Sequence, residues 1–122
     1  MSDTDLDRLP VLDNEVIAEL REIMEDEFAE LLHTFLGDLP LQLDRLRIAV
    51  TQSDADAIKT IAHTIKPTCA YLGALRLAEM FRRMEQAGRE KTLDGVADLL
   101  ERTRAMASTT IAGLQSQLDR TP

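Results

Sequence analysis

Apolar residues recur every three or four positions along almost the whole chain, and no alternation of Val, Ile and Thr lasts beyond a few residues. That period belongs to helices that bury one face, and it does not support a sheet. Aromatic residues are 3% of the composition and Trp is absent, so the core has to be built from Leu, Ile, Val, Ala and Met, as it is where helices pack on helices. A chain of 122 residues suits one domain. With 44% apolar residues, disorder of the whole is excluded.

Punctuation sets the expected boundaries. Residues 1–12 read as a flexible leader ending near Pro10. Asp13 is placed to cap a short helix over about 14–24, with Val16, Ile17, Leu20 and Ile23 on one face. A longer helix over about 26–51 carries the stripe Phe28, Leu31, Leu32, Phe35, Leu39, Leu43, Leu46 and Val50, and Gly37 and Pro40 within it predict a kink. Ser53, with Asp56 three residues on, reads as a variant capping box for a third helix. The stripe of that helix is Ile58, Ile61, Ala62, Ile65, Cys69 and Leu72, and Gly73 ends it. A fourth helix over about 74–87 carries Leu77, Met80, Phe81 and Met84, with Gly88 as its C-terminal cap. A last helix over about 93–119 turns Val96, Leu99, Leu100, Thr103, Met106, Thr110, Leu114 and Leu118 inward, and residues 120–122 form a tail. Short connections make successive helices antiparallel neighbours. The expected fold is therefore all-α, an up-down-up-down antiparallel four-helix bundle over residues 13–119 with a short extra N-terminal helix.

Charge and motif content remove several function classes. There are 22 Asp+Glu against 14 Lys+Arg, a formal net charge of -8, and no Lys/Arg block. A nucleic-acid or anionic-membrane binder needs the opposite balance. No apolar run approaches the ~20 residues of a membrane span. The acidic, polar start MSDTDLDRLP is not a signal peptide. Cys69 is the lone cysteine, which excludes an internal disulfide and a Cys-based zinc site and suits a reducing cytoplasm. It falls on the apolar stripe as a buried structural thiol, and Met80, Met84 and Met106 fall at core spacing. No Gly-rich phosphate loop and no Gly-x-Ser-x-Gly elbow is present, so the chain is not expected to be an enzyme with nucleotide-binding or kinase machinery of its own. Glu30-Leu31-Leu32-His33 spells the Glu-x-x-His of di-iron bundles. Those need a second copy, and the residue three before His63 is Thr60, so no metal site is expected.

The two histidines differ in setting. At about 100° per residue, His63 falls about 140° from Ile58, whereas the apolar residues of its helix cluster within about 60° of it. His63 thus faces solvent from mid-helix, with Lys59 one turn before it and Lys66 one turn after. Two ammonium groups disfavour the imidazolium, keep the ring neutral and nucleophilic, and would stabilise an attached phosphoryl group. Taken alone, a plain surface histidine among scattered charges has the same pattern. His33 also points outward, but Glu30 lies one turn before it and no Lys or Arg lies within four residues, so it reads as an ordinary surface side chain.

Residues 62–85, AHTIKPTCAYLGALRLAEMFRRME, resemble the signature of histidine-containing phosphotransfer (HPt) domains, roughly Ala-His-x-Leu-Lys-Gly-Ser-x-x-x-Leu-Gly followed by an apolar helix ending near Leu-Glu. Ala62, His63, Ile65, Lys66, Thr68, Leu72, Gly73, Leu77, Met84 and Glu85 meet it. The segment LLHTFLGDLP upstream and the Ser-Asp-Ala-Asp start of the third helix also fit, so the likeness spans nearly all of residues 13–119. It implies a four-helix bundle and a cytoplasmic phosphorelay carrier, by default a monomer; the starting Met with no kinase segment suggests a stand-alone one, and a domain excised from a hybrid sensor kinase would look the same. His63 would accept a phosphoryl group from the receiver domain of a hybrid sensor histidine kinase and pass it to the receiver of a response regulator. Lys66 would offset the phosphoryl charge. Lys59, Thr60, Pro67, Thr68, Leu72, Gly73 and Glu85 would form the local frame and docking rim. No cofactor is implied on this chain; Mg²⁺ would sit in the partner receiver. The chain departs from the family at Pro67, where Gly is usual. Proline adds bulk one turn from His63 and cannot donate to the His63 carbonyl, which predicts a local bend beginning near His63. It also motivates the alternative of a non-catalytic adaptor that docks a receiver or kinase domain without phosphotransfer.

Overall fold

The computed structural model describes residues 3–120, and side chains from residue 5 onward. Six α-helices and no strand are present among them: α1 (Asp3–Asp7), α2 (Asn14–Met24), α3 (Asp26–Thr51), α4 (Ala55–Tyr71), α5 (Leu75–Glu90) and α6 (Val96–Asp119). The long helices α3 to α6 form the up-down-up-down bundle, each packed on its sequence neighbour and α6 closing back onto α3. α2 packs on α3 and α1 on α5. The core is one cluster in which Phe28, Leu32, Leu39, Leu46, Ile58, Leu72, Leu77, Phe81, Met84 and Leu114 are fully buried.

Local chemistry explains most boundaries. The Asp13 carboxylate accepts from the Glu15 and Val16 amides and starts α2 as expected. Of that helix's apolar face, Ile17 and Leu20 are buried, but Ile23 is 77% exposed and Met24 takes the inner position instead. Arg21 then ties α2 across the bundle: it donates to the Gln117 carbonyl at 2.9 Å and lies over the Phe28 ring. α3 continues without a break through Gly37 and Pro40, where a kink is expected. α4 is capped by Asp54, whose carboxylate accepts from the Ala57 amide, and not by Ser53, which occupies a left-handed turn position. Thr103 and Thr110 sit fully buried on α6 by returning their hydroxyls to the Leu99 and Met106 carbonyls.

Two further expectations are corrected. The leader is not loose from residue 3 onward. Leu6 is buried, Arg76 donates to the Asp7 and Leu9 carbonyls, and the Arg76 amide donates to the Pro10 carbonyl. Its polar composition hid three leucines, at 6, 9 and 12, that have a bundle to lie on. Gly88 does not cap α5, which runs on to Glu90 and ends at a left-handed Lys91. Gly88 is buried inside the helix instead. A Cβ there would come within 2.6 Å of the Ala55 carbonyl oxygen and 2.7 Å of the Lys59 amide nitrogen. Only a residue without a side chain lets α5 approach α4 at that level.

Gly88→Ala should therefore lower stability by roughly 1–3 kcal/mol, because backbone rather than a flexible side chain blocks the new methyl. Urea unfolding at neutral pH measures it; an unchanged midpoint would mean that the helices separate there at no cost.

Candidate functional site

His63 projects from the middle of α4 with its side chain 66% exposed, as its angular position requires. α4 continues through Pro67 to Tyr71 with no break, so the expected bend does not interrupt the helix. The ring is tethered on one side. Its Nδ1 lies 2.9 Å from Oε2 of Glu85 on α5. Glu85 is 3% exposed, and its carboxylate also receives Lys66 Nζ on Oε1 and Arg89 Nη2 on Oε2, each at 2.7 Å. One carboxylate beneath the surface thus collects three nitrogen groups from two helices.

The electrostatics follow from that placement. Burial pushes the Glu85 carboxyl up, but the hydrogen bonds and charge of Lys66 and His63 more than offset it and hold it down to about 2. An ionised carboxylate only accepts, so Nδ1 of His63 must donate. In the neutral ring this leaves the lone pair on Nε2. The expectation that ammonium groups are the nearest charges to His63 is corrected here: the group in contact is a carboxylate, and Lys66 is spent on that same carboxylate. His33 is exposed and carries no such tether among the described residues.

The remaining predicted residues divide by depth. Lys59 and Thr60 lie on the His63 side of α4 and, with His63, Thr64, Glu85 and Arg89, line a polar pocket of about 280 Å³. Pro67 is exposed on the other flank, where it lines a shallow apolar groove with Leu9, Ala70, Leu75 and Ala78. Thr68 is half-buried. Leu72 and Gly73 are buried and take no part in a rim. Leu72 fills the core, and Gly73 adopts a left-handed φ of 77° while its carbonyl accepts from the Asp13 amide. Cys69 is fully buried, and burial pushes its thiol up to about 12, so it is inert. No group of three or more His, Cys, Asp or Glu among the described residues is arranged to hold a metal ion.

Sequence reasoning missed Arg89 and Thr64 and misread Gly88. Arg89 had a readable sign, since it stands four residues after Glu85 in the favourable acid-before-base order. Gly88 did too, four residues after buried Met84 on an apolar face.

Residues 30–120 match the family model of the Hpt domain. The chain belongs to the Hpt family. Its fold is also that of a solved member: the crystal structure of histidine-containing phosphotransfer protein B (HptB) from Pseudomonas aeruginosa PAO1 superposes with a TM-score of 0.88 at 31% sequence identity, covering 93% of this chain and 98% of that chain. The comparison with curated proteins gave no match. An Hpt domain serves phosphorelays as a histidine phosphotransfer component, working with receiver domains as a carrier and not as a kinase. No helix among this Hpt domain's described residues is long and apolar enough to cross a membrane.

A carboxyl held lower in the folded state than in the unfolded chain stabilises the fold above its unfolded value, and that contribution fades as pH falls. The stability difference between wild type and Glu85→Gln should be full above pH about 4.5 and shrink steadily toward pH about 2. Urea midpoints taken in pH steps would reveal it; a difference constant with pH would mean that the Glu85 cluster does not exist in solution.

Proposed function

We propose that His63 is the phosphoryl acceptor and donor of a cytoplasmic, monomeric phosphorelay carrier. The observation that carries this reading is an exposed imidazole whose Nδ1 is pinned by a buried carboxylate, on a helix packed against α3 and α5. Pinning presents Nε2 as the nucleophile and removes the entropy of ring rotation before the partner arrives.

In the forward step the Nε2 lone pair attacks the phosphorus of an aspartyl phosphate on the receiver domain of a hybrid sensor histidine kinase. The P–O bond to that aspartate breaks, and the aspartate leaves as its carboxylate. The phosphoimidazolium keeps its proton on Nδ1, facing Glu85, whose negative charge balances the ring. Onward transfer reverses the step: a response-regulator aspartate attacks phosphorus, the Nε2–P bond breaks, and its electron pair returns to the ring. Glu85 is a positioning residue in this scheme. Lys66 lies one turn from His63 and, while docked on Glu85, adds positive charge to the surroundings of the phosphoryl group. Mg²⁺ belongs to the receiver in this reading, so no step here asks this chain for a metal ligand. Pro67 and Leu9 line a groove on the Lys66 flank of His63, and in this reading the bulk of proline there limits the approach of a receiver.

Incubation with a phosphorylated receiver should place acid-labile, alkali-stable label on the wild-type chain and on His33→Gln, and none on His63→Gln. Label that persists in His63→Gln would overturn the assignment. Receiver binding that survives His63→Ala, with no label on the wild type from any receiver, would establish the adaptor reading instead. Glu85→Ala should slow labelling on the order of 10- to 100-fold while leaving label on His63, since it loosens the ring without removing the nucleophile. The ¹⁵N shifts of the ring should report a mixed tautomer in that variant. Pro67→Gly should speed transfer, and an equal rate would mean that the ring does not obstruct docking.

A further inference from the structure

We propose that the polar pocket on the Lys59 flank of His63 is an oxyanion site that seats the phosphoryl group, with Lys59 as the cation held for it. This rests on the reading of His63 as the phosphoryl acceptor. Three cations lie around that histidine. Lys66 and Arg89 are both bound to Glu85 at 2.7 Å. Lys59 makes no hydrogen bond or ion pair among the described residues, and it is only half exposed. An ammonium that no carboxylate claims is available to pair with an oxyanion.

The pocket around it has room for a tetrahedral oxyanion. Its volume of about 280 Å³ is lined by Lys59, Thr60, His63, Thr64, Glu85 and Arg89. One carboxylate faces two cations in that lining, so the pocket is net positive with neutral His63, in a chain whose formal net charge is -8. The Thr64 hydroxyl is turned back onto the Thr60 carbonyl at 2.8 Å, which leaves the Thr60 hydroxyl to serve as a donor. The backbone under Lys59 is fixed by Gly88, because α5 touches the Lys59 amide at that level. Lys59 and His63 are one helical turn apart on the same face, close enough for an ammonium at the first to reach an oxyanion carried by the second. Phosphorylation therefore adds Lys59 to the charge balance without requiring Lys66 or Arg89 to leave Glu85.

Two sources of the same oxyanion, free phosphate and the phosphoryl group on Nε2, separate the test into two arms. In the first, the unmodified full chain is titrated with inorganic phosphate and followed by backbone and side-chain NMR. Shifts should concentrate at Lys59, Thr60, His63, Thr64 and Arg89, and Lys59→Gln should weaken the apparent affinity about tenfold, the loss of one charge-assisted hydrogen bond. In the second, the equilibrium between a phosphorylated receiver and His63 is measured. Lys59→Gln should shift it about tenfold back toward the receiver, and Lys59→Arg should restore most of that. Shifts centred on Lys66 and Pro67, or an equilibrium indifferent to Lys59→Gln in a folded variant that still takes label on His63, would overturn the site and leave the acceptor reading intact. Phosphate binding that depends on Lys59 in a chain whose His63 takes no label from any receiver would support the oxyanion site and overturn the acceptor reading.

Discussion

A carboxylate below the surface of a helical bundle is tolerated only when cations and donors are brought to it, and Glu85 brings three. Its burial and its partners cannot be separated. Without Lys66, Arg89 and the Nδ1 proton of His63, an ionised group at that depth would be expelled or protonated. With them, the same group becomes the fixed point from which the ring of His63 is oriented. Exposure and order, which ordinarily oppose each other at a surface side chain, coexist here because the exposed ring is held from beneath.

The bundle exists, in this respect, to set the register of α4 against α5. Glu85 reaches His63 only if the two helices meet at one height and at close range. Gly88 supplies the range: with no side chain between, α5 rests on the α4 backbone one turn before His63. Gly73 supplies the corner. Its left-handed turn closes the connection between the two helices, and its carbonyl receives the start of α2, so that turn is braced from the N-terminal side. Leu77, Phe81 and Met84 then drive the inner face of α5 into the core and leave Glu85 at its border.

Periodicity was enough for the outline of the fold. It placed α2 and α3 at their observed limits and turned His63 outward, because burial of one helical face is a local property of each segment. It failed where the decisive partner lies far along the chain. Glu85 stands 22 residues from His63, and nothing in either helix alone says that they touch. Lys66 was read as a free charge for the same reason. Gly88 looked like a cap because glycine near a helix end commonly is one, whereas here it answers to the neighbouring helix. The leader was misread because its three leucines are diluted by aspartates, and their value depends on a surface supplied by α5.

That leader has a consequence for how a surface of this kind is altered. Its hold on the bundle runs largely through Arg76, and Leu9 forms one wall of the groove beside Pro67. Ten residues outside the four-helix core thus shape the ground next to His63. Substitution of Leu9 redraws the contour of that groove and leaves the Glu85 tether on the imidazole in place. The relief beside His63 can thus drift with a peripheral stretch of sequence, independently of the groups that hold the imidazole.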